Sequence, residues 1–428
     1  MTAAVPPAVS ADPPLGHSSR WPPPVRALIW GTLIARAAGF AYPFLAYRLA
    51  GIGHSPATAG LVLAAFGVGW FGGQVVAGWA TDQYGYRATL LGASLAGAGA
   101  MPLLALGTGP AWLLTVATIA GAAYDAPRPA VSAALTDLVD NPQMRARVSG
   151  WRLAAINVGA AATGGIGGLL ADRVGYLALC TANAASFIVF AAVAVPRLAP
   201  RSTRRGAGVS AAEAGRAALR DRRLWLLCAS SLMAMTCAVG LMSALPMMMA
   251  HSGLSSAAYG WTQVVDGVMV LALSPVLTPV LSRLAGRPGP LLRAQAISSL
   301  VLGAGMGSAG LAQSTVGFSL AVTAGVPGEI ALYIVATEIV TVIAPPFAIG
   351  TYHGAFGAVF AGAVVLAPLL AGWSMAVGGN ALAGAAVVAC GAAGALLCIP
   401  LRAALMTAPS ARAAPAEHPQ PVSVPAAD

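Results

Sequence analysis

Long apolar runs separated by short polar turns repeat from residue 27 to residue 402. Each run is about 20 residues long, which is the length an α-helix needs to cross the hydrocarbon core of a bilayer. The runs also lack the charged outer face that helices of a soluble protein present to water. The pattern predicts twelve membrane spans, numbered here in chain order. The predicted spans are 27–50, 57–80, 88–107, 111–138, 147–170, 176–195, 224–250, 257–281, 291–312, 316–343, 353–377 and 379–402.

One polar connection is much longer and more charged than the others, and it separates six spans from six. The predicted fold class is therefore an all-α polytopic membrane protein with twelve transmembrane helices in two six-helix bundles. Residues 211–223 within this connection are expected to form either a short basic helix on the anionic inner leaflet or a solvated linker. The predicted domains are a disordered tail 1–26, an N-terminal bundle 27–195, a basic cytoplasmic linker 196–223, a C-terminal bundle 224–402 and a disordered tail 403–428.

Composition and charge support a membrane protein and set its orientation. The chain is 58% hydrophobic and only 8% charged, whereas roughly 25% of residues are charged in soluble domains. The net charge of +10 would suggest nucleic acid in a soluble protein, but here the arginines cluster between the spans. With the N-terminus inside, nineteen of the 23 basic residues face the cytoplasm, as the positive-inside rule requires. We expect a multi-pass protein of the inner (cytoplasmic) membrane with both termini cytoplasmic.

The turn between spans 2 and 3 carries a charged, glycine-containing motif. Gly78, Asp82, Gly85 and Arg87 follow one another where the chain leaves the membrane and immediately re-enters it. The glycines permit close packing and a tight reversal. This stretch resembles the loop signature of the major facilitator superfamily, although two of the family's basic positions hold other residues. The resemblance implies that Asp82 and Arg87 brace an inner gate.

Span 5 carries a second motif, formed by small residues at fixed spacing. Small residues on one face allow a membrane helix to approach its neighbour closely. The spacing is similar to the antiporter motif of the same superfamily, which implies a twelve-span drug/proton antiporter and export. The motif residue at position 164 is Gly where the family has Pro, so uptake stays open, as does ordinary glycine packing. The motif residues are Gly150, Gly159, Gly164, Gly167 and Gly168.

Charged residues inside spans are costly and usually mark substrate or ion paths. Five of the six charges here lie on spans 1, 4 and 10, which the family resemblance places around a central cavity. The intramembrane charges are Arg36, Asp125, Arg128, Asp266, Glu329 and Glu338.

These charges suggest a proton or substrate site. Our hypothesis is that Asp125 and Glu329 bind a proton or a cationic substrate, and that Arg36 and Arg128 tune them. The alternative is a static network of Arg36, Asp125 and Arg128 that holds spans 1 and 4 together. Asp266 is expected to line the cavity or to pair near its inner mouth.

The resemblance implies a secondary active transporter that exports a small hydrophobic compound in exchange for protons by alternating access. Proton-coupled uptake of a nutrient or metabolite is the alternative within transport, and a non-transporting membrane sensor or scaffold is the alternative of another class. We expect no enzymatic activity, no cofactor and no metal, because no nucleotide-binding loop, nucleophile triad or metal-ligand spacing occurs. The expected partners are a small-molecule substrate, protons and lipid, with no nucleic acid, and the chain is expected to be a monomer.

Overall fold

The computed structural model describes residues 21–139, 141–199, 211–345 and 348–406, and these residues form α-helices without a β-strand among them. The all-α prediction is therefore confirmed. The helices are α1 (Pro23–Ala37), α2 (Leu45–Gly51), α3 (Pro56–Tyr84), α4 (Tyr86–Leu106), α5 (Pro110–Tyr124), α6 (Pro127–Leu138), α7 (Pro142–Ala194), α8 (Ala211–Arg220), α9 (Arg222–Val239), α10 (Ala244–His251), α11 (Ser256–Ser282), α12 (Pro288–Ser308), α13 (Thr315–Ile343) and α14 (Ile349–Met406).

Eight helical segments among the described residues are long and apolar enough to cross a membrane. Six of them correspond to predicted spans 2, 3, 7, 8, 9 and 10. The other two, which contain α7 and α14, each cover two predicted spans and include non-helical glycines. Predicted spans 1 and 4 are each divided into two shorter helices. The multi-pass membrane fold is confirmed, and the count of twelve spans stays a prediction.

The boundaries of the tails and the linker differ from the predicted ones. Helix α1 begins at Pro23, inside the predicted disordered tail, because proline fits the first turn of a helix, where its missing N–H is not needed. Helix α14 continues to Met406, beyond the predicted end at 402. Of the two alternatives for 211–223, the structure has the short helix α8. Residues 1–20, 200–210 and 407–428 of the predicted tails and linker lie outside the described residues.

The break inside predicted span 4 has a covalent cause. Pro127 begins α6, and a proline has no N–H with which to continue the hydrogen bonding of α5. Asp125 therefore ends α5 with a non-helical φ of −128°. As a result, an ionisable residue lies at a helix end in the middle of a membrane span.

Turns with a left-handed glycine join consecutive helices. Gly85, between α3 and α4, has φ +82° and ψ 160°, and Gly175, inside α7, has nearly the same geometry with φ +78° and ψ 167°. Only glycine adopts such a positive φ without strain. Gly286, at the corresponding turn of the second half, has φ +72°. It lies 201 residues after Gly85, so the same turn recurs in the second half of the chain.

The caps at the start of α3 and α11, at the opposite end of these helices, show the same repeat. Ser55 caps α3 by accepting a hydrogen bond from the N–H of Thr58, and Ser255 caps α11 in the same way with Ala258. The two serines are 200 residues apart. The two halves of the chain therefore repeat each other in structure, although they share few identical residues.

The helices pack as two groups, α1 to α7 and α9 to α14, which meet mainly through α3 with α14 and α7 with α11. At each meeting point two glycines lie back to back. A Cβ on Gly60 would lie 2.9 Å from Cα of Gly372, and a Cβ on Gly168 would lie 2.8 Å from Cα of Gly260. Without side chains between them the backbones approach closely. The domain boundaries themselves stay a prediction.

Candidate functional site

The breaks in predicted spans 1 and 4 bring three charged residues together. Arg36 lies in the last turn of α1, Asp125 directly follows α5, and Arg128 is the second residue of α6. Asp125 forms an ion pair with Arg36, and its Oδ2 lies 2.7 Å from Nε of Arg128. The indole N–H of Trp70 donates to the same oxygen at 3.3 Å. The Asp125 side chain is only 7% exposed.

This arrangement leaves Asp125 fully occupied. Its Oδ1 accepts a charge-assisted hydrogen bond from Arg36, a strong type of bond in proteins, and its Oδ2 forms the ion pair with Arg128 and accepts the Trp70 N–H. The backbone carbonyl of Arg36 in turn accepts a hydrogen bond from Thr163 of α7. The geometry therefore fits the static network, and it ties α1, α3, α6 and α7 together.

The other two predicted site carboxylates, Asp266 of α11 and Glu329 of α13, line a separate cavity between the two helix groups, with a volume of about 130 Å³. Neither forms a hydrogen bond or an ion pair with the described residues, and both are half-buried. Glu338 is not among the residues that line this cavity. The structure thus separates Asp125 from Glu329, which the sequence hypothesis treats as a pair, and places Asp266 beside Glu329 instead.

The remaining lining of this cavity is mostly apolar and aromatic. Trp70 forms part of the wall and also contacts Asp125, so it connects the two charged clusters. Such a surface suits a largely hydrophobic ligand. In binding cavities of this kind the apolar walls contact the body of the ligand, and a few polar groups fix the orientation of the ligand. The other lining residues are Tyr42, Asn157, Ala160, Ala161, Ala238, Val239, Leu241, Met242, Gln263, Gly267, Val270, Tyr333, Phe360 and Val364.

Trp70, Gln263 and Tyr333 are among the lining residues that the sequence prediction does not include. Tyr333 follows Glu329 by four residues and Gln263 precedes Asp266 by three, so each pair shares one helix face. That spacing could have identified both residues. No comparable signal exists for Trp70, because its proximity to Asp125 depends on how α3 packs against α5.

The predicted inner-gate motif lies at an exposed turn. Gly85 makes the turn, and Arg87 donates a hydrogen bond to the carbonyl of Leu198 at 3.3 Å. Asp82 is exposed and makes no hydrogen bond or ion pair with the described residues, and Gly78 has open space around it. In this structure Asp82 and Arg87 are therefore not paired, and their gate role stays a prediction.

The span 5 glycines contact two different neighbours. Gly164 and Gly168 face α11, while Gly159 lies against Arg36 and Gly167 against the aromatic turn that follows α1. In each of these four places a Cβ would clash with the neighbour. Gly150 departs from the expectation, because nothing lies within 4 Å of the position its Cβ would occupy. The motif therefore packs α7 against both helix groups from residue 159 onwards.

The cavity is closed at one end of the helix bundle. We call the end that carries the turns at 84–87, 139–145 and 283–287 the basic end. The helix groups are joined at the opposite end, where Tyr47 donates to the carbonyl of Ser255 at 3.2 Å and Ser256 donates to Asp172 at 2.8 Å. No residue of α11 from position 264 to 282 is buried, so the two groups diverge towards the basic end.

No group of three or more His, Cys, Asp or Glu among the described residues could hold a metal ion. Two bundles of membrane helices with a charged, mostly apolar cavity between them define the class of membrane transporters. The profile of the Major Facilitator Superfamily matches residues 28–368. The chain therefore belongs to the major facilitator superfamily, and it is a secondary transporter rather than an enzyme.

Solved structures of other transporters have the same fold. A peptide transporter POT in complex with sulfate superposes with a TM-score of 0.73 at 15% identity, over 91% of this chain and 96% of that one. The nucleoside transporter NupG gives 0.69 at 12% identity, over 89% and 99%. A POT family transporter in complex with a thioalcohol-conjugated peptide gives 0.72 at 14% identity, over 89% and 95%. At these identities the likeness extends to the fold alone. No curated protein sequence matches the chain.

Proposed function

We propose that this protein exports a small, largely hydrophobic compound in exchange for protons, with Asp266 and Glu329 as the carboxylates that carry the coupling. One observation carries the proposal: two acidic side chains share the cavity between the helix groups, and no arginine of the described residues forms an ion pair with either of them. Like charges repel strongly in a poorly hydrated cavity. Binding a proton or a cationic group relieves that repulsion, so occupancy by one ligand changes the affinity for the other.

Alternating access follows from the way the groups are joined. The glycine contacts and the Asp172–Ser256 hydrogen bond join the groups at one end, whereas α11 has no buried residue from 264 to 282, on its way to the basic end. Rocking of one group against the other would release these contacts and close the basic end, where Asp82 and Arg87 are available to brace it. The charge distribution supports a cytoplasmic location of the basic end and of both termini. We therefore infer an inward-open monomer in the cytoplasmic membrane.

The direction of transport rests on two features. The apolar, aromatic lining and the span 5 glycines favour export. The motif proline is absent and Gly164 lies against Gln263 instead, which leaves proton-coupled uptake open as the alternative. Peptides and nucleosides, the substrates named for the transporters of similar fold, are the natural probes for uptake.

The test uses purified protein in lipid vesicles with an imposed pH gradient. Ethidium probes export, while alanyl-alanine and uridine probe uptake, and an internal pH dye reports proton movement. We expect ethidium to leave the vesicles while protons enter them. Movement of the dipeptide or nucleoside together with protons would instead establish uptake. If Asp266→Asn and Glu329→Gln variants both kept full proton coupling, the proposed role of the two carboxylates would be wrong.

A further inference from the structure

A second, smaller pocket of about 40 Å³ lies inside the first helix group, between α1, the α5–α6 break and α7. Three arginines line it, namely Arg36, Arg128 and Arg152, and Asp125 is the one acidic residue among the lining residues. Asp125 already pairs with Arg36 and Arg128. The pocket therefore carries two positive charges more than its carboxylate neutralises. Uncompensated charge in a protein interior costs several kcal/mol.

Arg152 has no acidic partner within hydrogen-bond distance. Its Nη1 donates to the hydroxyl of Ser132 at 2.8 Å, and its Nη2 approaches the carbonyl of Arg128 at 3.5 Å. Its Nε is buried and has no hydrogen-bond partner. A guanidinium group stays protonated at all ordinary pH values, so this charge persists and an N–H donor is left unsatisfied beside the pocket.

Asn183, which also lines the pocket, supplies a second unsatisfied donor. The residue is fully buried, and its Oδ1 accepts a hydrogen bond from the backbone N–H of Ala41 at 3.4 Å. That contact fixes the orientation of the amide, because only the oxygen can accept. The Nδ2 group then has no partner, although a buried amide N–H normally finds one.

We propose that this pocket binds a small monovalent anion, held by Arg152 and Asn183 and by the excess charge of the arginine cluster. The two unsatisfied groups are both hydrogen-bond donors. A water molecule that accepts from them would need acceptors for its own two hydrogens, whereas an anion only accepts hydrogen bonds. The volume suits a halide ion or a single carboxylate group. The ligand is thus either a free ion or the carboxylate of an organic compound. The proposal does not depend on the substrate or direction of transport.

The test is the thermal unfolding of the purified full-length protein in detergent, followed by tryptophan fluorescence. Sodium gluconate is replaced stepwise by sodium chloride or sodium formate at constant ionic strength. A ligand that binds only the folded protein raises its melting temperature in a saturable way. We expect such a rise in the wild type. A free halide as ligand predicts a rise with both salts, and a pocket specific for carboxylates predicts a rise with formate alone.

Two variants and one control locate the effect. Arg152→Gln removes one charge, and its apparent anion affinity should fall by about tenfold or more, since a hydrogen bond to a charged group contributes roughly 1.5–3 kcal/mol. Asn183→Asp adds a negative charge at the pocket and should abolish the rise. Arg147→Gln, at an exposed position of the same helix, should respond like the wild type. A wild type whose melting temperature rises with neither chloride nor formate in place of gluconate, or a response equal in Arg152→Gln and Arg147→Gln, would overturn the proposal.

Discussion

The two halves of this transporter carry their membrane-embedded carboxylates in opposite environments. Asp125 in the first half is surrounded by Arg36, Arg128 and Trp70 and is almost sealed from solvent. Glu329 lies 204 residues later, at a corresponding place on α13, and with Asp266 it faces the cavity without a cation. The same kind of residue thus stabilises one half and remains available for ligands in the other. The comparison teaches that a charge in a membrane span indicates function only once its partners are known.

The largest expected effect tests the unpaired side of this comparison. Glu329→Gln and Asp266→Asn should each reduce substrate-driven proton flux by about 100-fold, because proton transfer through a positioned carboxylate contributes at least that much. Flux is measured with an internal pH dye in vesicles. Glu338→Gln, on the same helix but outside the cavity lining, should keep its flux. Equal flux in Glu329→Gln and Glu338→Gln would show that the cavity carboxylates have no special role.

The second effect concerns the paired side. Asp125→Asn leaves two guanidinium groups without their carboxylate, which should destabilise the protein by about 3–5 kcal/mol. Glu329→Gln breaks no hydrogen bond or ion pair among the described residues and should unfold at the wild-type temperature or above it. Thermal unfolding of the two purified variants in the same detergent makes this comparison. If both variants unfolded together with the wild type, the ion-pair network would not be structural.

A smaller effect tests the contact through which the halves meet. Gly168→Val places a side chain against the backbone of α11, where Cα of Gly260 would be only 2.8 Å from the new Cβ. Overpacking of this kind costs about 1–3 kcal/mol, and it should separate the helix groups and slow transport. Gly150→Val makes the same change on the same helix with open space around it. Similar transport rates in both variants would contradict a role for this contact.

The smallest expected effect extends the contrast between paired and unpaired carboxylates to a residue outside the membrane. Asp221 caps α9 through the N–H of Arg223 at 2.9 Å and accepts a hydrogen bond from Tyr352 at 3.0 Å. Burial by itself would raise the pKa of Asp221, but the hydrogen bonds from Arg223 and Tyr352 outweigh it and hold the pKa below its ordinary value of 3.8.

A lowered pKa means that the ionised form stabilises the folded state at neutral pH, and that this contribution disappears as pH falls through the folded-state pKa. Asp221→Asn should therefore cost about 1 kcal/mol at neutral pH, in the range of an ordinary hydrogen bond or a partly exposed ion pair, and almost nothing in acid below that pKa. Melting temperatures measured across the acid range check the difference. The exposed Glu213→Gln serves as control, and a pH-independent difference for Asp221→Asn would contradict this role.

Much of the fold follows from the sequence for simple reasons. Apolar runs of membrane length have few alternatives in lipid, and Pro127 and Gly85 mark a break and a turn that backbone chemistry enforces. The repeat between the halves is visible in sequence at positions that backbone geometry constrains, namely the turn glycines Gly85 and Gly286 and the cap serines Ser55 and Ser255.

The site is less predictable, because periodicity along one helix does not determine the rotation of that helix against another. The charges on α1, α5, α6, α11 and α13 could be identified from their cost in lipid. Their grouping, with Asp125 held by arginines and Glu329 next to Asp266, depends on contacts between helices far apart in the chain. Arg152 looks like a residue of a basic loop in the sequence, whereas the structure directs it into the pocket beside Asp125.

Reactivity of introduced cysteines tests the central contrast most directly. In a background whose five native cysteines are replaced by alanine, Glu329→Cys probes the cavity and Ala126→Cys probes the surroundings of Asp125 without removing that carboxylate. Leu332→Cys, at a fully buried position of α13, sets the unreactive baseline. We predict that a charged, membrane-impermeant thiol reagent added from the cytoplasmic side modifies Glu329→Cys rapidly and leaves the other two unmodified. A cysteine at 329 that reacts no faster than the one at 332 would contradict the account, because Glu329 would then lack the water-accessible path on which the proposed coupling depends.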